Sequence, residues 1–143
     1  MCRHAHLFRP DLLISLEVEK VRPGIDVCFP LARLVLFSRG AIEGSGFERP
    51  EVFLRVMRGR VPFTLLSAAW GSEGAWAVEA DGTLHHAPAV PPPAVVDTLG
   101  AGDTFNAGMI GTLAAGQPLQ VALGAACRLA GRKVGQIGFE GLY

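Results

Sequence analysis

Apolar and polar positions along the chain alternate between two periods. From Ile14 to Val18, within LLISLEVEK (12–20), apolar and polar residues alternate singly, the mark of a half-buried strand. ARLVLFS (32–38) is a short apolar run before Arg39-Gly40 and reads as a buried strand. Between Pro50 and Arg60 the period changes: Val52, Phe53, Val56 and Met57 fall at helical spacing, with Arg55 and Arg58 outside. Pro50 suits a first helical turn and Gly59 the far end. PFTLLSAAW (62–70) is a third strand, Gly71-Ser72-Glu73-Gly74 a tight turn, and AWAVEA (75–80) a fourth strand. Asp81-Gly82 then makes a hairpin turn into TLHHA (83–87). Four prolines in 88–94 make a stiff, extended connector.

After Val95–Val96 comes a glycine turn, then a helix from about Gly102 to Ala115. Gly116 ends it, and Pro118 opens a second helix reaching about Val134. Strands alternating with helices predict an α/β layer fold with a partly parallel sheet. No charge occurs from Thr104 to Cys127, a length that alone would span a bilayer. Gly116-Gln117-Pro118 breaks the stretch, and Asn106, Gln117 and Gln120 are polar, so the reading is two short buried helices. Surface helices normally show a charged outer face. These do not, and Gly108, Gly111 and Gly124 give them small faces. The pattern predicts cover by further protein or ligand, and a domain larger than 143 residues.

Composition changes this picture only by exclusion. Half the residues are apolar, and 13 basic residues balance 13 acidic ones, which is globular rather than disordered. Neutrality argues against a nucleic-acid or anionic-membrane surface. Cys2, Cys28 and Cys127 are odd in number and far apart, which fits free thiols in a reducing compartment such as the cytoplasm. His4 and His6, and the pair His85–His86, have no spaced ligand set around them, so no metal site is predicted there. The basic N-terminus has its apolar stretch interrupted by Asp11 and Glu17 and reads as no secretory signal; a mitochondrial presequence would have to end before Asp11.

The candidate chemistry sits in VVDTLGAGDTFNAG (95–108). Small residues at a helix start leave backbone N–H groups unpaired and pointing outward, and the helix dipole adds partial positive charge. Such a turn suits a phosphate or a developing oxyanion. Asp103 stands where the first helical turn begins, and a carboxylate beside an anion site can take the proton of an attacking hydroxyl, a combination suited to phosphoryl transfer. The plain alternative is a strand-to-helix turn with Asp103 as a capping acid. A dinucleotide fingerprint fails: Phe105 occupies the third glycine position and nothing acidic lies between Asp103 and Glu140. A Walker A loop fails as well, since no GxxxxGK[ST] occurs.

VVDTLGAGDTFNAG resembles the D-T-x-G-A-G-D-x-F signature of the PfkB-type, ribokinase-like carbohydrate kinases. The similarity continues through QPLQVALGAACRLAGRKVGQIGFEGLY and back through EVEK and AAWGSEGA. It is greatest to the members that phosphorylate fructose with ATP. It takes in residues 14–143 as a partial domain and leaves 1–13 unmatched. The fold implied is a three-layer αβα sandwich, of which this chain is the C-terminal, nucleotide-binding half. Asp103 matches the family's catalytic base, and Gly100, Ala101 and Gly102, with the Asp103 amide, match its anion hole. Asp97 matches an acid that in many members helps hold a monovalent cation, K+. Gly71, Ser72 and Gly74 fall in a turn that lies along the nucleotide, and Cys127 on the helix flanking the adenine pocket. The partners implied are ATP with Mg2+ and a small sugar, and a homodimer if the other half is present.

Each residue also has a reading without function. Asp97 in an Asx motif would only hydrogen-bond the following turn. Gly71 and Gly74 would serve turn geometry alone, Cys127 would be a packed thiol, and Trp70 and Trp76 read as core. Two departures stand beside the resemblance. Many members carry N-x-x-E after the strand matching 32–38, where it organises magnesium; this chain has Ser38-Arg39-Gly40-Ala41. Members are also much longer, and their sugar-recognising residues and lid strands lie in an N-terminal half not present in these 143 residues. The alternative expectation is therefore a truncated nucleotide-binding fragment without catalysis.

Overall fold

The computed structural model describes residues 13–142. The chain divides into two compact units. One runs to Ala68 and takes in Val78–Leu84; the other holds Ala69–Ala77 and everything from His85. The strands are β1 (Ser15–Val18), β2 (Leu34–Phe37), β3 (Leu65–Ala69), β4 (Ala75–Val78) and β5 (Leu84–Ala87). β1 and β3 both pair with β2 in parallel, Ser15 opposite Leu34 and Leu34 opposite Leu65. β2 is buried at all four positions, as an unbroken apolar run in a central parallel strand requires.

In the first unit Phe29, Phe37, Phe53 and Phe47 form a chain of edge-to-face rings with centroids 5.9, 4.9 and 5.3 Å apart. The buried Thr64 hydroxyl lies against the Phe29 and Ala32 carbonyls, at 3.2 and 3.0 Å. Two short elements had no periodicity to announce them. One is a 3-10 helix at Ile25–Leu31, the other α1 (Arg39–Glu43). Helix α2 (Pro50–Arg60) has the predicted bounds but is turned from the predicted face. It buries Phe53, Leu54 and Met57 and leaves Val52 and Val56 exposed. Arg58, predicted to face solvent, is half-buried and gives its guanidinium to the Val61, Pro62, Thr64 and Glu79 carbonyls. Local spacing cannot show that these carbonyls come together.

In the second unit α3 (Ala101–Ala114) and α4 (Leu119–Val134) pack on each other. A Cβ at Gly108 would lie 2.9 Å from the Ala126 Cα, so this small face serves close helix approach. The uncharged stretch is broken at residues 115–118, as predicted, and among the described residues no helix is long and apolar enough to cross a membrane. Its outer face stays apolar: Ile110 and Val121 are 40% and 47% exposed. The proline connector lies along α4, where a Cβ at Gly131 would sit 1.9 Å from the Val90 carbonyl oxygen. Val96 and Asp97 then donate their N–H groups to the Val134 carbonyl at 2.9 and 3.2 Å. Trp70 is buried as predicted, but Trp76 is only half-buried and stacks on His86, ring centroids 4.2 Å apart.

Candidate active site

The glycine turn enters α3 through Gly100, which has a φ of +77°. A side chain there would be strained in backbone and would also meet the Phe139 ring at 2.5 Å. Glycine is needed on both counts. Gly100 is the N-cap residue and has no side chain, so no side-chain hydrogen bond closes this helix start. The Thr104 hydroxyl and amide both donate to the Gly100 carbonyl, at 2.8 and 2.9 Å, and fix the first turn. Ala101 N–H is used by the Thr98 carbonyl at 3.2 Å. Gly102 and Asp103 follow in the first turn and are exposed, and a Cβ on Gly102 would meet nothing within 4 Å. The turn thus presents backbone N–H groups, positive dipole and the Asp103 carboxylate on one open surface.

Asp97 leads into this turn. Its Oδ1 accepts the Leu99 N–H at 2.9 Å, which is the Asx turn that the sequence allowed. Its Oδ2 accepts from Lys133 Nζ at 2.8 Å. The Lys133 ammonium, followed by the Leu99 N–H, holds the Asp97 carboxyl below the ordinary carboxylate range. The same ammonium donates to the Asp97 carbonyl at 3.2 Å and the Gln136 carbonyl at 3.3 Å. It also lies 5.4 Å from the centre of the Phe139 ring, within reach of a cation–π contact.

The other sequence-predicted residues gather at Ala87. Gly74 has a φ of +95°, and a Cβ there would fall 2.1 Å from the Ala87 carbonyl oxygen. The Cys127 thiol donates to that same oxygen at 3.7 Å. Cys127 is buried, and burial pushes its thiol pKa up. Gly71 and Ser72 are exposed in a short 3-10 turn at Gly71–Glu73, whose last carbonyl lies 3.0 Å from His86 Nε2. One group therefore joins Asp97 with Gly100–Asp103, and another joins Gly74 with Cys127.

Sequence reasoning missed Lys133 and Phe139. The signal for Lys133 was present. Ala122, Leu123, Ala126 and Lys133 lie on one helical stripe, and all are buried. A lysine on an apolar stripe calls for a buried partner. Phe139 gave no such signal, because its role depends on how the C-terminal segment returns.

The model of the pfkB family of carbohydrate kinases matches residues 69–140, a range that contains both groups. Mouse (Mus musculus) ketohexokinase is 43% identical over 130 residues, which are 90% of this chain and 44% of that protein. The chain thus spans under half the length of this relative. Adenosine kinase from Schistosoma mansoni, solved with 2-fluoroadenosine, superposes with a TM-score of 0.78 at 20% identity, over 97% of this chain and 46% of that one. Ribokinase from Thermotoga maritima gives 0.76 at 19%, over 91% and 45%. These two likenesses establish the ribokinase-type α/β fold. With an open glycine turn, an acid in its first helical turn and a family model spanning half its length, the chain belongs to the pfkB family of carbohydrate kinases.

Proposed function

We propose that this chain carries the nucleotide-side half of a ketohexokinase-like sugar kinase, with Asp103 as the base and residues 100–103 as the anion site. The observation that carries the reading is the uncapped start of α3, with Asp103 directly behind Gly100-Ala101-Gly102. In the proposed reaction Asp103 takes the proton of a sugar hydroxyl. The freed oxygen attacks the γ-phosphorus of ATP as the bond to the β-phosphate oxygen breaks, releasing ADP. For fructose the product is fructose 1-phosphate. The protein's part is to place the reactants and balance moving charge: the Gly102 and Asp103 N–H groups face the transferring phosphoryl oxygens. The turn at Gly71, Ser72 and Gly74, with the helix carrying Cys127, is the proposed wall of the nucleotide site. Cys127 contributes shape, since its thiol is spent on Ala87.

The family's kinases use ATP, commonly with Mg2+. In this chain Ser38-Arg39-Gly40-Ala41 offers no carboxylate, and Glu43 is paired with Arg39 at 2.7 Å. These residues do not fit a magnesium-organising motif, so no step is assigned to the ion.

The test is a coupled ADP-release assay with fructose and ATP on this chain, beside direct ATP binding. In a version that also carries the sugar-side half, Asp103→Asn is expected to lower turnover by about 10²–10⁴, as loss of a positioned base does, with ATP affinity nearly unchanged. Normal turnover in that variant overturns the base assignment. The second reading is a nucleotide-binding fragment without catalysis, favoured by the 44% span of the mouse relative. It predicts ATP binding with no turnover above the no-sugar background, because no sugar half orients the hydroxyl.

A further inference from the structure

Lys133 is fully buried, and the proposed reaction gives it no task. A buried ammonium is costly unless charge and hydrogen bonds compensate it. Its acceptors are Asp97 Oδ2, the Asp97 carbonyl and the Gln136 carbonyl, at 2.8, 3.2 and 3.3 Å. One carboxylate and two carbonyls, drawn from segments far apart in sequence, form the kind of oxygen cage that a hard monovalent cation would use. The remaining carboxylate oxygen already accepts the Leu99 N–H. The neighbouring polar groups point elsewhere: Arg132 donates to the Gly141 carbonyl, and the Gln136 amide to the Glu140 carbonyl. Asp97 therefore does not fit the potassium that the family resemblance implies, because a cation of the chain's own engages it.

We infer that the Lys133 ammonium is the resident cation of the Asp97 loop, tying the turn before Gly100 to the segment from Gln136 to Phe139 in place of an added monovalent ion. Lys133 is thus a positioning residue. It fixes Asp97, whose Oδ1 sets the turn through Leu99, and it steadies Phe139, which packs on Gly100. The inference rests on the proposed site only for the importance of this loop, so its test uses no nucleotide and fails separately from that reading.

Thermal unfolding of the whole chain is measured in potassium chloride and in choline chloride at equal ionic strength. The two midpoints are expected to coincide; a midpoint higher in potassium places an added ion at Asp97 and overturns the inference. Lys133→Met keeps the aliphatic stem and removes the charge. Its midpoint is expected to fall by roughly 5–10 °C, and to recover in part with ammonium or potassium ions but not with choline. An unchanged midpoint overturns the inference, and so does a fall without ion selectivity, which would leave Lys133 only a packing role. Should Lys133→Met not fold, Asp97→Asn keeps an acceptor for Leu99 while stranding the ammonium. Its midpoint is expected to fall, and an unchanged midpoint overturns the inference.

Discussion

Two helix starts in this molecule are built from opposite materials. At α1, Ser38 sits in extended backbone and its hydroxyl accepts the Ala41 N–H at 3.1 Å, while donating to the Glu19 carbonyl at 3.1 Å. That end is closed by its own side chain, as N-cap serines ordinarily do. At α3 the cap position is Gly100 in left-handed backbone, and no side chain closes the end. The first arrangement gives one orphan N–H a side-chain partner; the second gives none of them a side chain, and only the Ala101 N–H finds a backbone carbonyl, that of Thr98. The difference teaches what separates a structural turn from a candidate site. Both start helices, but only the second has its polar groups, dipole and acid facing outward.

The largest expected effect comes from breaking the second start. Gly100→Ala puts a Cβ into left-handed backbone, at about 1–2 kcal/mol, and drives it into the Phe139 ring, at about 1–3 kcal/mol. Denaturant unfolding should show a loss of roughly 3 kcal/mol, and ATP binding should fall with it. A stable variant that binds ATP normally would mean that the loop does not need this geometry.

A smaller effect is expected at the first start. Ser38→Ala removes one cap and should cost about 1 kcal/mol, or a few degrees in midpoint, without changing ATP binding. If ATP binding falls as well, the two starts are not independent and the comparison fails.

The smallest concerns acid. Asp97 is held below the ordinary carboxylate range, so the unfolded chain binds its proton more readily than the folded one. The stabilisation it brings is therefore complete above the unfolded value, about 3.9, and is lost as pH falls through the lower folded value. Wild type should lose stability through that window more steeply than Asp97→Asn. Parallel pH profiles would remove Asp97 from the acid response.

Much of this was legible in the chain itself. Strand and helix periods placed β2, α2 and the α3–α4 pair, because each depends on a pattern that neighbouring residues carry. The break at residues 115–118 was legible for the same reason: glycine and proline act on their own backbone. The glycine turn into α3 was readable because small residues before a helix act on their own backbone, and Gly100 takes the left-handed cap position there. What escaped was set by residues far apart in sequence. The burial of Arg58 depends on four carbonyls outside its helix, and the turned face of α2 depends on the aromatic rings that Phe53 meets. Lys133 and Asp97 are 36 positions apart, a separation that no local period spans.

The sequence alone determined that a helix begins within Gly100-Ala101-Gly102 with Asp103 in its first turn, since backbone freedom and helix dipole are local properties. Only the tertiary structure decided what holds that turn in place. A buried ammonium is stable only where folding gathers its acceptors, so the Lys133 contact with Asp97 and Gln136 exists in the folded chain and in no shorter stretch of it.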